Sequence, residues 1–249
     1  MGKILEVCVD SHASARAAIS AGADRLELCS ALAVGGLTPY EVLLRQIRRE
    51  SDIPIRCLMR HRAGDFLYSR EEQELIRLQI LSLREAGANG FVIGLLTPEG
   101  RLDLEGMKPL MEACQGSGVT LHRCIDVSLD PVQTYLDAAS LGIDTVLTSG
   151  GAGSCRQGKG NIEAMLRLRD SRHGPEVLIG AGVDADVICE FRRELPGAQA
   201  FHMSGKTELE SGMQFRREGV PMGLPGLDEW HIQQTDPQAV RLAREVLCE

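Results

Sequence analysis

Ionisable residues recur at alternate positions in several short apolar segments of the chain. Glu27, Arg60, His122 and Asp126 are the members of this set whose types suit work on a small substrate. A carboxylate or an imidazole can move a proton, and an arginine can hold a substrate anion. We therefore predict Glu27, Arg60, His122 and Asp126 as candidate catalytic residues of an enzyme that acts on a small anionic, for instance phosphorylated, metabolite.

Two cysteines suggest a different chemistry. Cys8 and Cys29 lie in neighbouring apolar segments, at positions of the same parity. Thiolates are soft ligands that suit Cu(I), and two of them suffice for a site of low coordination number. Buried free cysteines more often serve as small apolar side chains, so spacing alone leaves both explanations open. Zinc bound by His122, His202 and a carboxylate is another alternative that no spacing requires.

These residues belong to eight short segments rich in apolar and β-branched residues, separated by longer segments of helical periodicity. The predicted strands are residues 4–10, 25–30, 53–62, 90–96, 119–126, 145–150, 177–183 and 200–205. A serine or an aspartate precedes several of the predicted helices as an N-cap, as at Ser11, Ser69, Asp130 and Asp236. Eight strand–helix repeats predict a single (β/α)8 TIM barrel domain, of class α/β, over residues 1–249.

Alternation along a strand predicts which side chains point into the barrel. Glu6 and Asp10 point inward on the first strand, and His122 and Asp126 do so on the fifth, which turns Arg123 outward. The interior of such a barrel is normally filled by Val, Ile and Leu. Its charges therefore form either a network of ion pairs that plugs the barrel or a site at the C-terminal mouth.

Glycines mark two kinds of turn. Gly22, Gly87, Gly142 and Gly197 each precede an even-numbered strand, where a left-handed glycine would end the preceding helix. On the other side of the barrel, Gly180, Gly182, Gly205 and Lys206 follow the last two strands and form a candidate anion-binding site. Backbone N–H groups of the corresponding loops bind phosphate in many barrels of this kind. The same glycines also satisfy ordinary turn geometry, so the anion site stays one of two explanations.

Composition narrows the class of protein. Hydrophobic residues make up 43% and charged residues 25%, as in a folded domain with a sizeable core. The 27 basic residues are outnumbered by 35 acidic ones and form no basic block, which argues against a nucleic-acid partner. The sequence has neither a membrane-spanning apolar run nor a signal peptide, so we expect a cytoplasmic protein. Its eight cysteines, without a C-x-x-C pair, are then expected to be reduced.

Six motifs occur in order along the chain: Leu5-Glu6-Val7-Cys8-Val9-Asp10-Ser11, Gly22-Ala23-Asp24-Arg25-Leu26-Glu27-Leu28-Cys29-Ser30, Gly35-Gly36-Leu37-Thr38-Pro39, Gly64-Asp65-Phe66, Leu121-His122-Arg123 with Asp126, and Leu147-Thr148-Ser149-Gly150-Gly151. Together they resemble the CutC family, often called copper homeostasis proteins, over essentially the whole chain. The resemblance implies a (β/α)8 barrel, a cytoplasmic location and a homodimer. It also implies Cu(I) binding at Cys8 and Cys29.

Two hypotheses follow. In the first, the partner is a copper ion, Cys8 and Cys29 are its ligands, and the carboxylates are structural. In the second, the partner is a small-molecule anion held by Arg60 and Lys206, with Glu27, His122 or Asp126 as acid and base. The Gly- and Pro-rich segment 207–230 is long for a connection and is predicted to be a lid or an oligomer contact.

Overall fold

A computed structural model of the chain describes residues 2–217, 219–220, 222–223, 226 and 229–249. Eight parallel strands form a closed barrel in chain order, so the predicted (β/α)8 fold is confirmed. The barrel strands are β1 Ile4–Val9, β2 Arg25–Leu28, β3 Ile55–Leu58, β4 Gly90–Ile93, β5 Gly118–Leu121, β6 Thr145–Thr148, β7 Glu176–Ile179 and β8 Ala200–Met203. The helices around it are α1 His12–Ser20, α2 Glu41–Arg48, α3 Arg70–Glu85, α4 Leu104–Ala113, α5 Pro131–Ser140, α6 Lys159–Arg172, α7 Ala185–Glu194 and α8 Pro237–Cys248.

The predicted N-caps begin their helices. The Ser11 side chain accepts a hydrogen bond from the Ser14 N–H at the start of α1. Ser69 and Glu72 form a capping box at the start of α3, each side chain accepting from the other residue's backbone N–H. Such caps satisfy N–H groups that the first turn of a helix leaves without partners, and each typically contributes about 1 kcal/mol.

The apolar core has two parts, as alternation along the strands requires. Outward-facing strand residues such as Leu5, Val7 and Val9 are fully buried against the surrounding helices. Inside the barrel, two small apolar clusters fill part of the lumen: one contains Cys8, Cys29, Leu58 and Val92, and the other contains Leu147, Leu178 and Ala200. Buried ionisable side chains, among them Glu6 and Glu27, occupy other inward positions.

Strand β5 is shorter than its sequence pattern predicts. It ends at Leu121, and the chain turns at once into a 3₁₀ helix over Arg123–Val127. The cause is local, because the His122 side chain accepts a hydrogen bond from the Cys124 N–H and caps this turn. The predicted outward orientation of Arg123 was therefore wrong, since strand parity no longer applies beyond Leu121.

The helix-ending glycines are confirmed at three of the four predicted positions. Gly22, Gly87 and Gly142 have φ values of +91°, +102° and +76°. Gly197 is not among the glycines with positive φ, so the prediction of a left-handed cap there was wrong. Helix α7 ends at Glu194, and its C-cap Leu195 donates its N–H to the Phe191 carbonyl.

After β8 the chain forms an antiparallel hairpin, β9 Lys206–Glu210 and β10 His231–Thr235, before entering α8. The predicted lid or oligomer segment 207–230 starts in this hairpin, and residues 218, 221, 224–225 and 227–228 of it lie outside the described part of the chain. Within the described ranges, none of the helices has the length and apolarity needed to cross a membrane.

Candidate functional site

A cavity of about 520 Å³ opens at the C-terminal mouth of the barrel. Its lining includes seven of the residues predicted from sequence to form a site, namely Cys8, Glu27, Arg60, His122, Asp126, Gly182 and Lys206. Cys29, Gly180 and Gly205 are not part of its lining. The residues that sequence reasoning assigned to two separate chemistries thus share one cavity.

One wall of the cavity brings together Cys8, Glu27 and His202. Cys8 on β1 is in register with Glu27 on β2, and His202 on β8 is in register with Glu6 on β1. One potential ligand atom from each of Cys8, Glu27 and His202 lies within 4.8 Å of the others. No other set of three or more His, Cys, Asp or Glu residues in the described part of the chain converges in this way.

Cys29 is placed differently from Cys8. It lies just beyond the end of β2, and its thiol donates to the Glu27 carboxylate, with Sγ 3.4 Å from Oε2. Burial raises the pKa of Cys29 well above its ordinary value, and the negative charge of Glu27 raises it further. Cys29 is therefore a neutral thiol in this arrangement, and its role as a copper ligand beside Cys8 stays a prediction.

Glu6 holds this wall in place through hydrogen bonds with Arg25 and His202. Its carboxylate is fully buried and accepts hydrogen bonds from Arg25 Nε, at 2.5 Å, and from His202 Nδ1, at 2.8 Å. Burial by itself would raise the pKa of Glu6, but the charge of Arg25 and the bonds from His202 lower it to about 2. These contacts are those of a structural carboxylate.

His202 is a residue of this wall that the sequence suggested only as a ligand in the zinc alternative. Its ring contacts Glu6 through Nδ1, lies 3.8 Å from Glu27 Oε2 through Nε2 and has a nitrogen within 4.8 Å of Cys8 Sγ. Burial would lower the pKa of His202, but the charges of Cys8 and Glu27 outweigh it and hold the pKa well above its usual value. Its inward parity on the last strand was the available signal, but parity does not give the register that aligns His202 with Glu6.

The same electrostatics act on Glu27. Burial raises the pKa of Glu27, and the positive charge of His202 opposes part of that rise. Glu27 also faces the buried charge of Glu6, which favours its protonated form. A carboxyl whose pKa is raised toward neutrality can release or take up a proton, or bind a cation in place of the proton.

Arg60 lies on another part of the cavity wall and is held by backbone carbonyls. Its Nη1 donates to the carbonyls of Val34 and Gly36 at 2.9 and 3.0 Å, and its Nη2 donates to the carbonyl of Gly64 at 2.9 Å. The side chain thereby fastens two loops of the barrel mouth, those that follow β2 and β3. Within the described ranges the hydrogen-bond partners of the guanidinium are these carbonyls, and its buried Nε has no partner.

His122 is a neutral histidine at the end of β5. Burial lowers its pKa to about 3, and the nearby charge of Arg60 contributes to that shift. Its ring lies 4.7 Å from the ring of Phe66, centroid to centroid. Nδ1 accepts from the Cys124 N–H, whereas the buried Nε2 is without a partner among the residues described.

Both carboxylate oxygens of Asp126, a predicted catalytic residue, already accept hydrogen bonds from other groups of the protein. Oδ1 accepts from the Thr148 hydroxyl at 2.6 Å and from the N–H groups of Ser149 and Gly151 at 3.0 and 3.1 Å. Oδ2 accepts from Arg123 Nε at 2.7 Å. The carboxylate thus ties the 3₁₀ turn to the loop after β6, and Arg123, which sequence reasoning placed outside the barrel, lines the cavity beside it.

The predicted anion-binding turns are only partly in the cavity. Gly182 lines it, and Lys206 reaches its rim from the first residue of β9. Gly180 packs against Leu147 and His202, and Gly205 packs near Met203 and Val240, so neither reaches the cavity. Anion binding by the turns themselves stays a prediction, while Lys206 contributes a positive charge at the rim.

Comparison with known proteins agrees with this structure. Residues 3–207 match the model of the CutC family. A CutC family protein of Vibrio campbellii is 38% identical over 96% of this chain and 97% of its own. A human protein named copper homeostasis protein cutC homolog is 38% identical over 96% of this chain and 87% of its own. A solved CutC structure from Streptococcus agalactiae superposes with a TM-score of 0.75 at 26% identity, covering 81% of this chain and 98% of the other. The chain therefore belongs to the CutC family.

Proposed function

We propose that this protein binds Cu(I) at the mouth of its barrel, with Cys8 and His202 as the principal ligands. Thiolate sulfur and imidazole nitrogen are donors that suit Cu(I), and Glu27 lies close enough to act as a third ligand or to take up the displaced proton. The convergence of Cys8, Glu27 and His202 within 4.8 Å carries the proposal. The human relative's name, which refers to copper homeostasis, supports the choice of metal.

The contact between His202 and Glu6 supports the same site. Histidines that bind metals usually donate their second ring N–H to a carboxylate, which fixes the ring and raises its basicity. His202 Nδ1 has such a partner in Glu6, at 2.8 Å, so Nε2 is the nitrogen available for a metal. Copper would replace protons shared among Cys8, His202 and Glu27, so binding should release protons.

The sequence-based pairing of Cys8 with Cys29 is a variant of this proposal. Cys29 lies in the same lumen cluster as Cys8, but its thiol donates to Glu27. To serve as a ligand, Cys29 would have to lose a proton whose pKa burial holds well above its normal value. We therefore assign Cys29 an outer position, in which it holds Glu27 by a hydrogen bond, and leave the choice to experiment.

The test is an anaerobic Cu(I) titration of the reduced protein against a competing chelator. All variants should be built on Cys189→Ser/Cys248→Ser, because these two exposed thiols would otherwise compete for copper. We expect Cys8→Ser and His202→Gln each to weaken binding about tenfold or more, and Cys29→Ser to have a smaller effect. The matched control is His61→Gln, since His61 pairs with Glu72 outside this cluster.

The outcomes separate the alternatives. Equal losses in Cys8→Ser and Cys29→Ser, with His202→Gln unchanged, would favour the paired cysteines. Wild-type affinity in both Cys8→Ser and His202→Gln would overturn the copper site. Proton release measured in the same titration should fall in the variants that lose a ligand.

We also propose a reducing, cytoplasmic setting and a homodimer. All eight cysteines are free, and six of them are buried, as expected of a protein kept reduced.

For the dimer, the hairpin of β9 and β10 offers an apolar surface. Leu209 and Ile232 lie directly opposite each other across this hairpin, and their side chains are 41% and 56% exposed. Phe215 is also exposed in the loop of this hairpin, and exposed apolar clusters often mark contacts between proteins.

A further inference from the structure

Two buried hydrogen-bond donors without partners lie on one side of the cavity. Arg60 is 9% exposed and His122 is 4% exposed, and both line the cavity. Arg60 Nε and His122 Nε2 are each buried and lack a hydrogen-bond partner among the described residues. An unpaired buried polar atom costs about 1–3 kcal/mol, so two of them on one ligand-sized cavity point to a ligand that pairs with them.

The charge of Arg60 specifies the kind of ligand. Its guanidinium is always positive, and within the described ranges it has only backbone carbonyls as hydrogen-bond partners. Burying a charge without a counter-ion is costly. Asp126, which also lines the cavity, already accepts from Thr148, Ser149, Gly151 and Arg123. Glu27, the other carboxylate of the lining, contacts Cys29 and His202. A bound ligand is therefore the best source of the missing negative charge.

The geometry of His122 makes it a donor to such an anion. Because Nδ1 accepts from the Cys124 N–H, the proton of the neutral ring is on Nε2. A Cβ at Gly94 would lie within 2.8 Å of Nδ1 and Cε1, so that edge of the ring faces β4 and the other edge is left for the cavity. Phe66 connects the two donors, with its ring 4.7 Å from that of His122 and 5.4 Å from Arg60 Cζ.

We propose that Arg60 Nε and His122 Nε2 bind an oxyanion, the carboxylate or phosphate group of a small metabolite, in the same cavity as Cys8 and His202. Lys206 contributes positive charge at the rim, and Arg123, which is paired with Asp126, lines the same cavity. In chain order the barrel places β5, which carries His122, four strands away from β1, which carries Cys8. His122 is thus across the lumen from Cys8, whereas Arg60 follows β3, the neighbour of the strand that carries Glu27. A volume of about 520 Å³ accommodates a metabolite.

This inference does not depend on copper. The positive charge of Arg60 repels a cation, and neither Arg60 nor His122 belongs to the set that converges with Cys8. The oxyanion should therefore bind to copper-free protein. If a metal also binds, the anion would lie within the same cavity as the metal, which is the arrangement expected of an enzyme acting on a small anionic compound. If copper does not bind, the oxyanion proposal still stands. If the oxyanions do not bind, the copper proposal still stands.

The test uses copper-free protein with sodium phosphate and sodium glycolate as probes and sodium chloride at matched ionic strength as the reference. Binding is measured by calorimetric titration and by the rise in Tm. We expect saturable binding of at least one oxyanion, weakened about tenfold or more in His122→Phe, which keeps a ring beside Phe66 but removes the donor. Phosphate alone, glycolate alone, or both binding would identify a phosphoryl ligand, a carboxylate ligand or a general oxyanion site.

Matched variants at residues outside the cavity serve as controls. His61→Phe removes a histidine that packs against Tyr68 outside the cavity, and it should bind as wild type. Arg60→Lys retains the positive charge but loses Nε. Its matched control is Arg84→Lys, because Arg84 donates to the Ala113 carbonyl elsewhere in the protein. Should neither probe give more than the chloride effect, or should His122→Phe bind both probes with wild-type affinity, the proposed site would be wrong.

Discussion

His202 Nδ1 lies 2.8 Å from Glu6 Oε1 inside the barrel, although the two residues are 196 positions apart in the chain. The contact exists because the closing pair of strands, β8 and β1, aligns the two residues side by side. It fixes the His202 ring by one nitrogen and leaves the other near Glu27. Glu6 therefore acts on the candidate metal site through the orientation of His202.

Replacing Glu6 by glutamine should weaken both the site and the fold. Arg25 would lose its buried counter-ion, which we expect to lower the free energy of unfolding by about 3 kcal/mol, and Cu(I) affinity should fall about tenfold. Urea unfolding and chelator competition measure the two effects. Glu176→Gln is the control, because Glu176 is also buried and paired with an arginine, Arg169, but does not line the cavity. Equal copper affinity in the two variants would contradict the orienting role of Glu6.

The buried neutral His122 should make stability depend on pH. Its pKa is about 3 in the folded protein against 6.5 ordinarily, so between these values the unfolded chain binds one more proton. The contribution is therefore complete above pH 6.5 and is lost as the pH falls toward 3. Between pH 6.5 and pH 5, wild type should lose about 2 kcal/mol more than His122→Gln in urea unfolding. The same pH dependence in both proteins would show that His122 is not held neutral.

Gly94→Ala should disturb His122 directly. A Cβ at this position would lie 2.4 Å from Cys124 Sγ and 2.7 Å from His122 Cε1, so the side chains of the 3₁₀ turn would have to move. We expect a loss of about 2 kcal/mol in the free energy of unfolding and weaker binding of the oxyanion probes. Gly160→Ala, in helix α6 with nothing within 4 Å, should be neutral or slightly stabilising. Similar stability of the two variants would contradict the close packing at Gly94.

Asp126→Asn tests whether Asp126 is a structural or a catalytic carboxylate. The amide can replace only one of its two acceptor oxygens, so it cannot accept from both Arg123 and the Thr148–Gly151 loop. We expect a loss of about 1–3 kcal/mol in urea unfolding, with oxyanion affinity reduced less than in His122→Phe. Asp52→Asn, at an exposed loop position, is the control and should change little. A fully stable variant would favour a role in chemistry over a role in loop positioning.

The hairpin surface predicts the oligomeric state. Wild type should have the mass of a dimer in light scattering, and Leu209→Gln/Ile232→Gln should shift it toward monomer because the paired apolar side chains of β9 and β10 are lost. Leu78→Gln, on the exposed face of α3, should leave the mass unchanged. A monomeric wild type, or a variant that remains dimeric, would place the dimer contact elsewhere or exclude it.

The fold and the inward-facing residues followed from the sequence because both depend on local periodicity. Side chains alternate along a strand, so apolar and polar positions near Cys8 or Glu27 already show which residues face the lumen. Ser11 and Ser69 likewise mark helix starts through bonds to N–H groups only three residues away. Where a local contact was not visible in the pattern, as in the His122 cap that ends β5, the predicted strand ran too far.

Which of the inward residues meet was decided only by the closed barrel. Register between β1 and β2 pairs Cys8 with Glu27 and leaves Cys29 further along, and closure of β8 onto β1 adds His202 to the set. The partners of a charged side chain also come from parts of the chain that are distant in sequence. Arg60 donates to backbone carbonyls of the loop after β2, and Asp126 accepts hydrogen bonds from the loop after β6. Periodicity fixes the direction of a side chain, but strand stagger, closure and loop path fix its neighbours, and the neighbours determine its chemistry.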